Sequence, residues 1–195
     1  MDAIEESDGR RRRSQRSRER ILDAVFAALQ TPEIEVTAER VAAEAGLSLS
    51  TIFRQFGDME GLSRAMRERL ERKVRPYFLA GPFEGTTQAR VRELLRRRSA
   101  IFETLSPILQ ASLRQARPSQ EERDSQGEAR WALRAQMAAA LAPELAEPAG
   151  AARAPVLEAL LSLETWNHMR SVQQLDSPRV ATLLEEAVLT LLASS

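Results

Sequence analysis

At 195 residues and 43% hydrophobic content, the chain is long enough for one large domain or two small ones, and too apolar for wholesale disorder. It contains no cysteine, which excludes a disulfide framework, thiol catalysis and thiolate metal sites. Its 28 basic and 28 acidic residues cancel, so it is not a bulk nucleic-acid coat protein.

The charge is unevenly spread. Residues 1–9 hold four acids, Asp2, Glu5, Glu6 and Asp8. Residues 10–75 carry a net +5 and residues 76–195 a net −1. Much of the excess lies in Arg10, Arg11, Arg12 and Arg13, followed by Arg16, Arg18 and Arg20. A concentrated basic segment is a candidate phosphate footprint, although a charge run by itself is more often a solvated arm.

Residues 1–13 have almost no apolar content and read as a mobile basic arm. From Ser14 the pattern becomes helical, with Ile21, Leu22, Val25, Phe26 and Leu29 on one face and Pro32 as the stop. Thr37 caps a second helix, TAERVAAEA, and Gly46 ends it where a left-handed residue is needed. Ser48 caps a short third helix through Phe56. Asp58 caps a fourth, which runs to about Val74 before Pro76. These elements define an N-terminal domain over 14–75. A Gly/Pro-rich break at 79–87 follows.

Residues 76–195 form the second domain. Helices are expected over 88–104, with a kink at Ser106-Pro107, then over 107–116 and 119–141. Residues 142–154 read as a loop, Pro155 opens a helix to about Leu175, and Asp176 or Ser177 caps the last one. Alternation never persists over five residues, so no strand is expected and the fold class is all-α.

In the last helix Val180, Leu183, Leu184, Ala187, Val188, Leu191 and Leu192 make an apolar stripe, and the preceding helix is apolar nearly all round. Intrachain core accounts for such stripes. A dimer-forming hairpin packed about a two-fold axis also accounts for them, with Val156, Leu160, Leu163, Leu184, Val188 and Leu191 at its interface.

Enzymatic constellations are missing. The one imidazole, His168, sits in an apolar helix and reads as a core or pocket-wall residue. GLSLS and GPFEG lack phosphate-loop spacing, and the acid pairs Glu121/Glu122 and Glu185/Glu186 point to different sides of their helices. No catalytic residue, metal or cofactor is expected. No apolar run approaches the roughly 18 residues of a membrane span and no signal-peptide core opens the chain, so the cytoplasm is the expected location and no membrane partner is expected.

Between the second and third helices, Ala42 and Ala45 permit close approach, and Leu47, Ile52 and Phe56 lock the third helix inward. Ser50, Thr51, Arg54 and Gln55 then point away. Short hydroxyls near a helix N-terminus with an arginine and an amide one turn on suit major-groove reading, whereas a plain helical hairpin needs none of them. The stretch VTAERVAAEAGLSLSTIFRQFGDMEGL resembles the N-terminal domain of TetR/AcrR-type transcriptional regulators. The resemblance rests on Thr37, Val41-Ala42, Ala45-Gly46-Leu47-Ser48, Thr51-Ile52-Phe53, Phe56 and Leu62, with RSRERILDAVFAAL before them. It covers about 50 residues; the rest is similar in layout, down to the ending DSPRVATLLEEAVLTLL.

That resemblance implies a homodimeric repressor on a palindromic double-stranded DNA operator, with its reading helix at about 48–56, released by a small-molecule effector of unknown identity. The DNA-facing set it implies is Thr37, Ser48, Leu49, Ser50, Thr51, Phe53, Arg54 and Gln55; the charge run adds Arg10, Arg11, Arg12 and Arg13 as expected phosphate contacts. Effector-pocket candidates are Phe102, Leu105, Leu109, Leu113, Trp131, Met137, Trp166, Asn167, His168 and Met169, any of which also suits a plain core. Phe53 and Met59 replace the family's tyrosine and lysine, removing two phosphate-binding groups that the arginine segment would restore. The alternative is a divergent member that acts through ligand or protein binding without specific DNA recognition.

Overall fold

A computed structural model describes the backbone of residues 2–30, 36–114 and 120–193, and the side chains of these except 2–8, 10, 109–114, 120–123, 125 and 126. The described residues are helical, with no strand among them. The helices are α1 (Asp2–Leu29), α2 (Ala38–Ala45), α3 (Leu49–Phe56), α4 (Met59–Leu79), α5 (Thr87–Arg114), α6 (Gln120–Ala140), α7 (Ala142–Ala146), α8 (Pro148–Leu160), α9 (Leu163–Asn167) and α10 (Ser177–Ala193). A π-helical turn, His168–Val172, follows α9. Among the described residues no helix is long and apolar enough to cross a membrane.

The chain divides into two compact units. Unit 1 comprises Met1–Lys73 with Pro107–Arg114, and unit 2 comprises Val74–Ser106 with Gln115–Ser195. The break expected near 75 therefore falls inside α4, which continues through Pro76. Proline removes one hydrogen bond but does not end a helix held by packing beyond it, and Tyr77 and Phe78, half-buried, pack on the unit 2 core. Pro107 likewise lies inside α5, so 88–104 and 107–114 form one helix.

Three other expectations need correction. Residues 2–13 are the first turns of α1. Acids open the helix, where negative charge complements its dipole, and arginine is itself a good helix former. Residues 142–154 are not a loop: Pro143 and Pro148 each sit in the first turn of a short helix, where the missing N–H costs nothing. The helix expected over 155–175 breaks after Leu160. Ser162 Oγ accepts a hydrogen bond from Thr165 N at 3.1 Å, and Thr165 Oγ1 donates to Ala159 O at 2.6 Å, so the hydroxyls start a new helix.

Unit 1 buries one stripe of α1 (Ile21, Leu22, Val25) against Val41 and Ala42 of α2, with Ile52 of α3 and Leu62, Met66 and Leu70 of α4 also buried. Unit 2 buries Val91, Leu94, Ile101 and Phe102 of α5 with Met137, Leu157, Trp166, Val180, Leu184 and Val188. Each such large side chain contributes roughly 1.5–3 kcal/mol on leaving water.

Polar ties join the helices of unit 2. Arg90 donates to Glu144 and, through Nε, to Ala140 O at 2.9 Å; Thr87 Oγ1 donates to Glu144 Oε1 at 2.6 Å. Burial opposes the Glu144 charge, yet the bonds from Thr87 and Arg90 hold its pKa below the ordinary value. On α5, Glu93 accepts from Arg96 Nε at 2.6 Å and from Arg97 Nε at 2.7 Å. The Arg96 hydrogen bond, with Arg97 adding to it and burial opposing, lowers Glu93 from 4.5 to about 2. A depressed carboxylate gives stability that is complete above its unfolded pKa and lost as pH falls through the folded one. Thermal melts from about pH 7 down to pH 2 test this. Glu93→Gln is expected to lower the melting temperature at neutral pH and to flatten its decline below about pH 4.5; parallel curves for both proteins would contradict the assignment.

Candidate nucleic-acid interface

The segment from Thr37 to Phe56 is organised by its own short side chains. Thr37 Oγ1 accepts from Arg40 N at 3.3 Å and opens α2. Gly46 closes it in the left-handed region, at φ 61°. Leu47 N donates back to Ala42 O at 2.9 Å and Gly46 N to Ala43 O at 3.1 Å, which satisfies the last carbonyls of α2. Ser48 then opens α3 by accepting from Thr51 N at 3.3 Å. The two short helices are thus joined by Gly46, Leu47 and Ser48 alone.

Ile52 anchors α3 and is fully buried, while Leu47 and Phe56 are half-buried. The opposite side carries Leu49, Ser50, Phe53 and Arg54, all exposed; Leu49 is 36% and Phe53 41% accessible. Ser48 Oγ lies 2.9 Å from both Ser50 Oγ and Thr51 Oγ1, and Arg54 Nη2 donates to Thr51 Oγ1 at 3.4 Å. The result is a hydroxyl cluster at the positive end of a helix dipole, beside two apolar side chains and a guanidinium.

Gln55 does not belong to that outer face. Its Nε2 donates to Ser14 Oγ at 3.0 Å and to Ser14 O at 3.3 Å, which ties α3 to α1. Arg18, one turn along α1, donates to Gln55 O at 3.1 Å and stacks on the Phe56 ring, 4.4 Å from its centroid. Arg20 donates to Ala45 O at the end of α2. Two arginines of the basic run are therefore structural, closing the C-terminal ends of α2 and α3 where carbonyls lack intrahelical donors. Arg11, Arg12, Arg13 and Arg16 are exposed. Ser14 lies among them, and its bond to Gln55 fixes this stretch of α1 against α3; Arg11, one turn before Ser14, shares its side of α1, whereas Arg12 and Arg16 lie on the far side. The side chain of Arg10 lies outside the described residues.

Met59, the first residue of α4, is half-buried. Asp58 Oδ1 accepts from Gly61 N at 2.7 Å and caps the helix.

In unit 2, Phe102, Met137 and Trp166 are buried and Leu105, Asn167 and Met169 half-buried. Ser106 Oγ donates to Asn167 Oδ1 at 2.7 Å. Trp131 is 73% accessible and His168 is exposed, so neither is the pocket wall expected of it. The break after Leu160 rotates His168 outward by starting a new helix and a π-helical turn. The Leu109 and Leu113 side chains lie outside the described residues. Of the residues expected at a dimer interface, Leu184 and Val188 are buried in the core of their own unit, because the α10 stripe faces inward. Val156 is exposed, and Leu160, Leu163 and Leu191 are half-buried.

Sequence reasoning missed Gly61 as a packing residue. A Cβ there would lie 2.0 Å from Phe56 O, so only glycine lets the start of α4 meet the end of α3. Compared with models of known protein families and with curated proteins, the chain matches none.

Gly61→Ala is expected to destabilise unit 1 by about 2 kcal/mol or more, a fall of roughly 8 °C or more in Tm, while Ser63→Ala at an exposed neighbour changes it little. Circular-dichroism melts of both variants decide the point; equal melts would mean α3 and α4 do not pack through this glycine.

Proposed function

We propose that α2 and α3 form a helix-turn-helix and that the chain is a transcriptional regulator of the TetR/AcrR type. In this reading it binds a palindromic double-stranded DNA operator as a homodimer in the cytoplasm, acts as a repressor, and is released by a small-molecule effector held in unit 2. The observation that carries the reading is the bond between Ser14 and Gln55, which ties the arginine-rich stretch of α1 to α3 while Ser50 and Arg54 of α3 stay exposed.

Each group then has a physical task. Ser48, Ser50, Thr51 and Arg54 meet base edges and phosphates at the N-terminal end of the reading helix. Leu49 and Phe53 lie against thymine methyl groups, the apolar feature of the major groove. Arg11, Arg12, Arg13 and Arg16 lie along the phosphate backbone, supplying attraction that Phe53 and Met59 do not. Thr37 and Gln55 act through structure, one as a cap and one as a tie between helices. The dimer uses α8, the start of α9, and α10 through Val156, Leu160, Leu163 and Leu191.

A second reading keeps the same fold without specific DNA binding. It rests on the exposed pair Leu49 and Phe53, one turn apart, which also suits an apolar protein partner.

Salt titration of duplex binding separates the two. The affinity is expected to fall steeply with salt. Replacing Arg11, Arg12 and Arg13 together by alanine, which preserves the helix, is expected to reduce the slope of log K against log salt by roughly 0.9 for each phosphate that the variant no longer neutralises. Duplex binding that is absent or indifferent to salt in the unmodified protein sinks the DNA reading. An unchanged slope in the triple variant sinks the role of the arginines.

A further inference from the structure

Arg98 lies in the interior of unit 2, with 4% of its surface accessible. Its Nη1 donates to Leu161 O and its Nη2 to Leu133 O at 2.7 Å, both neutral acceptors. No carboxylate among the described residues forms an ion pair with it, and its Nε has no hydrogen-bond partner there. Glu158, whose charge favours the cation, is itself paired with Arg134 at 3.2 Å. Burial lowers the guanidinium pKa to about 10, with Glu158 opposing, so the group stays cationic at neutral pH.

Two other buried side chains of unit 2 also carry a polar atom unpaired among the described residues. Trp166 is 4% accessible, its Nε1 has no acceptor among the described residues, and its ring meets that of Phe102 edge-on at 5.9 Å. Phe102 is one helical turn from Arg98 on α5, so indole and guanidinium border the same stretch of that helix. Gln136, 7% accessible and one turn beyond Leu133 on α6, donates through Nε2 to Tyr77 O at 3.1 Å, while its Oε1 has no donor. Buried polar atoms are ordinarily paired, and a cation without an anion is the costliest exception.

We propose that Arg98 anchors the carboxylate of an amphipathic organic acid bound in the interior of unit 2, with Trp166 Nε1 as a second donor and Gln136 Oε1 accepting a hydroxyl or amine of the same ligand. A buried cation and a neutral donor match a carboxylate, Arg170 over the Trp166 ring at 5.5 Å adds to the positive field, and the walls made by Phe102 and Trp166 take an apolar body. The site rests on the reading of unit 2 as the effector-binding unit and names the chemical class of that effector.

The test uses the full chain carrying Trp131→Phe, which leaves Trp166 as the sole tryptophan. Linear carboxylates from butanoate to dodecanoate, benzoate and naphthoate are titrated beside the matching alcohols, with Trp166 emission and calorimetry as readouts and no DNA present. At least one acid is expected to bind about tenfold or more tightly than its alcohol, as a charge-assisted bond implies. Arg98→Met is expected to abolish that preference while changing alcohol affinity less than about threefold. Acids that do not bind, acids that bind no better than alcohols, or a preference that survives Arg98→Met each overturn the proposal. If Arg98→Met fails to fold, the acid-to-alcohol ratio of the unmodified site and its reduction in Trp166→Phe, read by calorimetry, decide it. Carboxylate binding without operator selection would remove the regulator reading and leave this site; operator selection without carboxylate preference would do the reverse.

Discussion

Among the described residues, arginine closes the C-terminal ends of five helices. An α-helix leaves its last carbonyls without intrahelical donors. Arg20 meets Ala45 at the end of α2, Arg18 meets Gln55 near the end of α3, and Arg97 meets Ala80 and Gly81 just past α4. Arg90 meets Ala140, the last residue of α6, and Arg98 meets Leu161 just past α8. Each guanidinium brings positive charge to the negative end of a helix dipole, worth about 0.3–1 kcal/mol at the surface and more when partly buried. The basic residues are arginine throughout, Lys73 excepted. A planar, always-charged fork suits this work better than a lysine ammonium, because one group can reach two carbonyls while its charge remains.

The same interaction sets up the proposed reading head. Helix α3 has eight residues, too short to hold itself in water. It is held by Ile52 from within, by Gly61 where α4 begins, and by Ser14 and Arg18 of α1. The run of arginines is therefore divided. Arg18 fixes α3 and Arg20 closes α2, while Arg11, Arg12, Arg13 and Arg16 stand exposed. A charge count along the chain does not separate these roles, since they depend on which side of α1 each residue occupies.

Elements fixed by local chemistry are legible from the residues. Thr37, Gly46 and Ser48 do what their types imply, because caps and left-handed turns are settled within four residues. Proline misleads in both directions. Pro76 and Pro107 lie within helices, and Pro143 and Pro148 start helices in a segment that reads as a loop. Periodicity finds the α10 stripe but not its partner: Leu184 and Val188 face their own core, and an apolar stripe looks the same whichever surface covers it. Gln55 and Trp131 defeat the sequence reading for a related reason, since exposure is set by neighbours distant in the chain. The interior polar groups Arg98, Gln136 and Trp166 carry no local signature, and only their burial without full pairing marks them.

The most direct test of the regulator reading is selection of bound sequences from a pool of random duplex DNA by the full-length protein. The account predicts enrichment of a palindrome whose half-sites lie one helical turn, ~34–36 Å, or more apart, matching two reading helices related by a two-fold axis. A pool that remains random after successive rounds at moderate salt would contradict it.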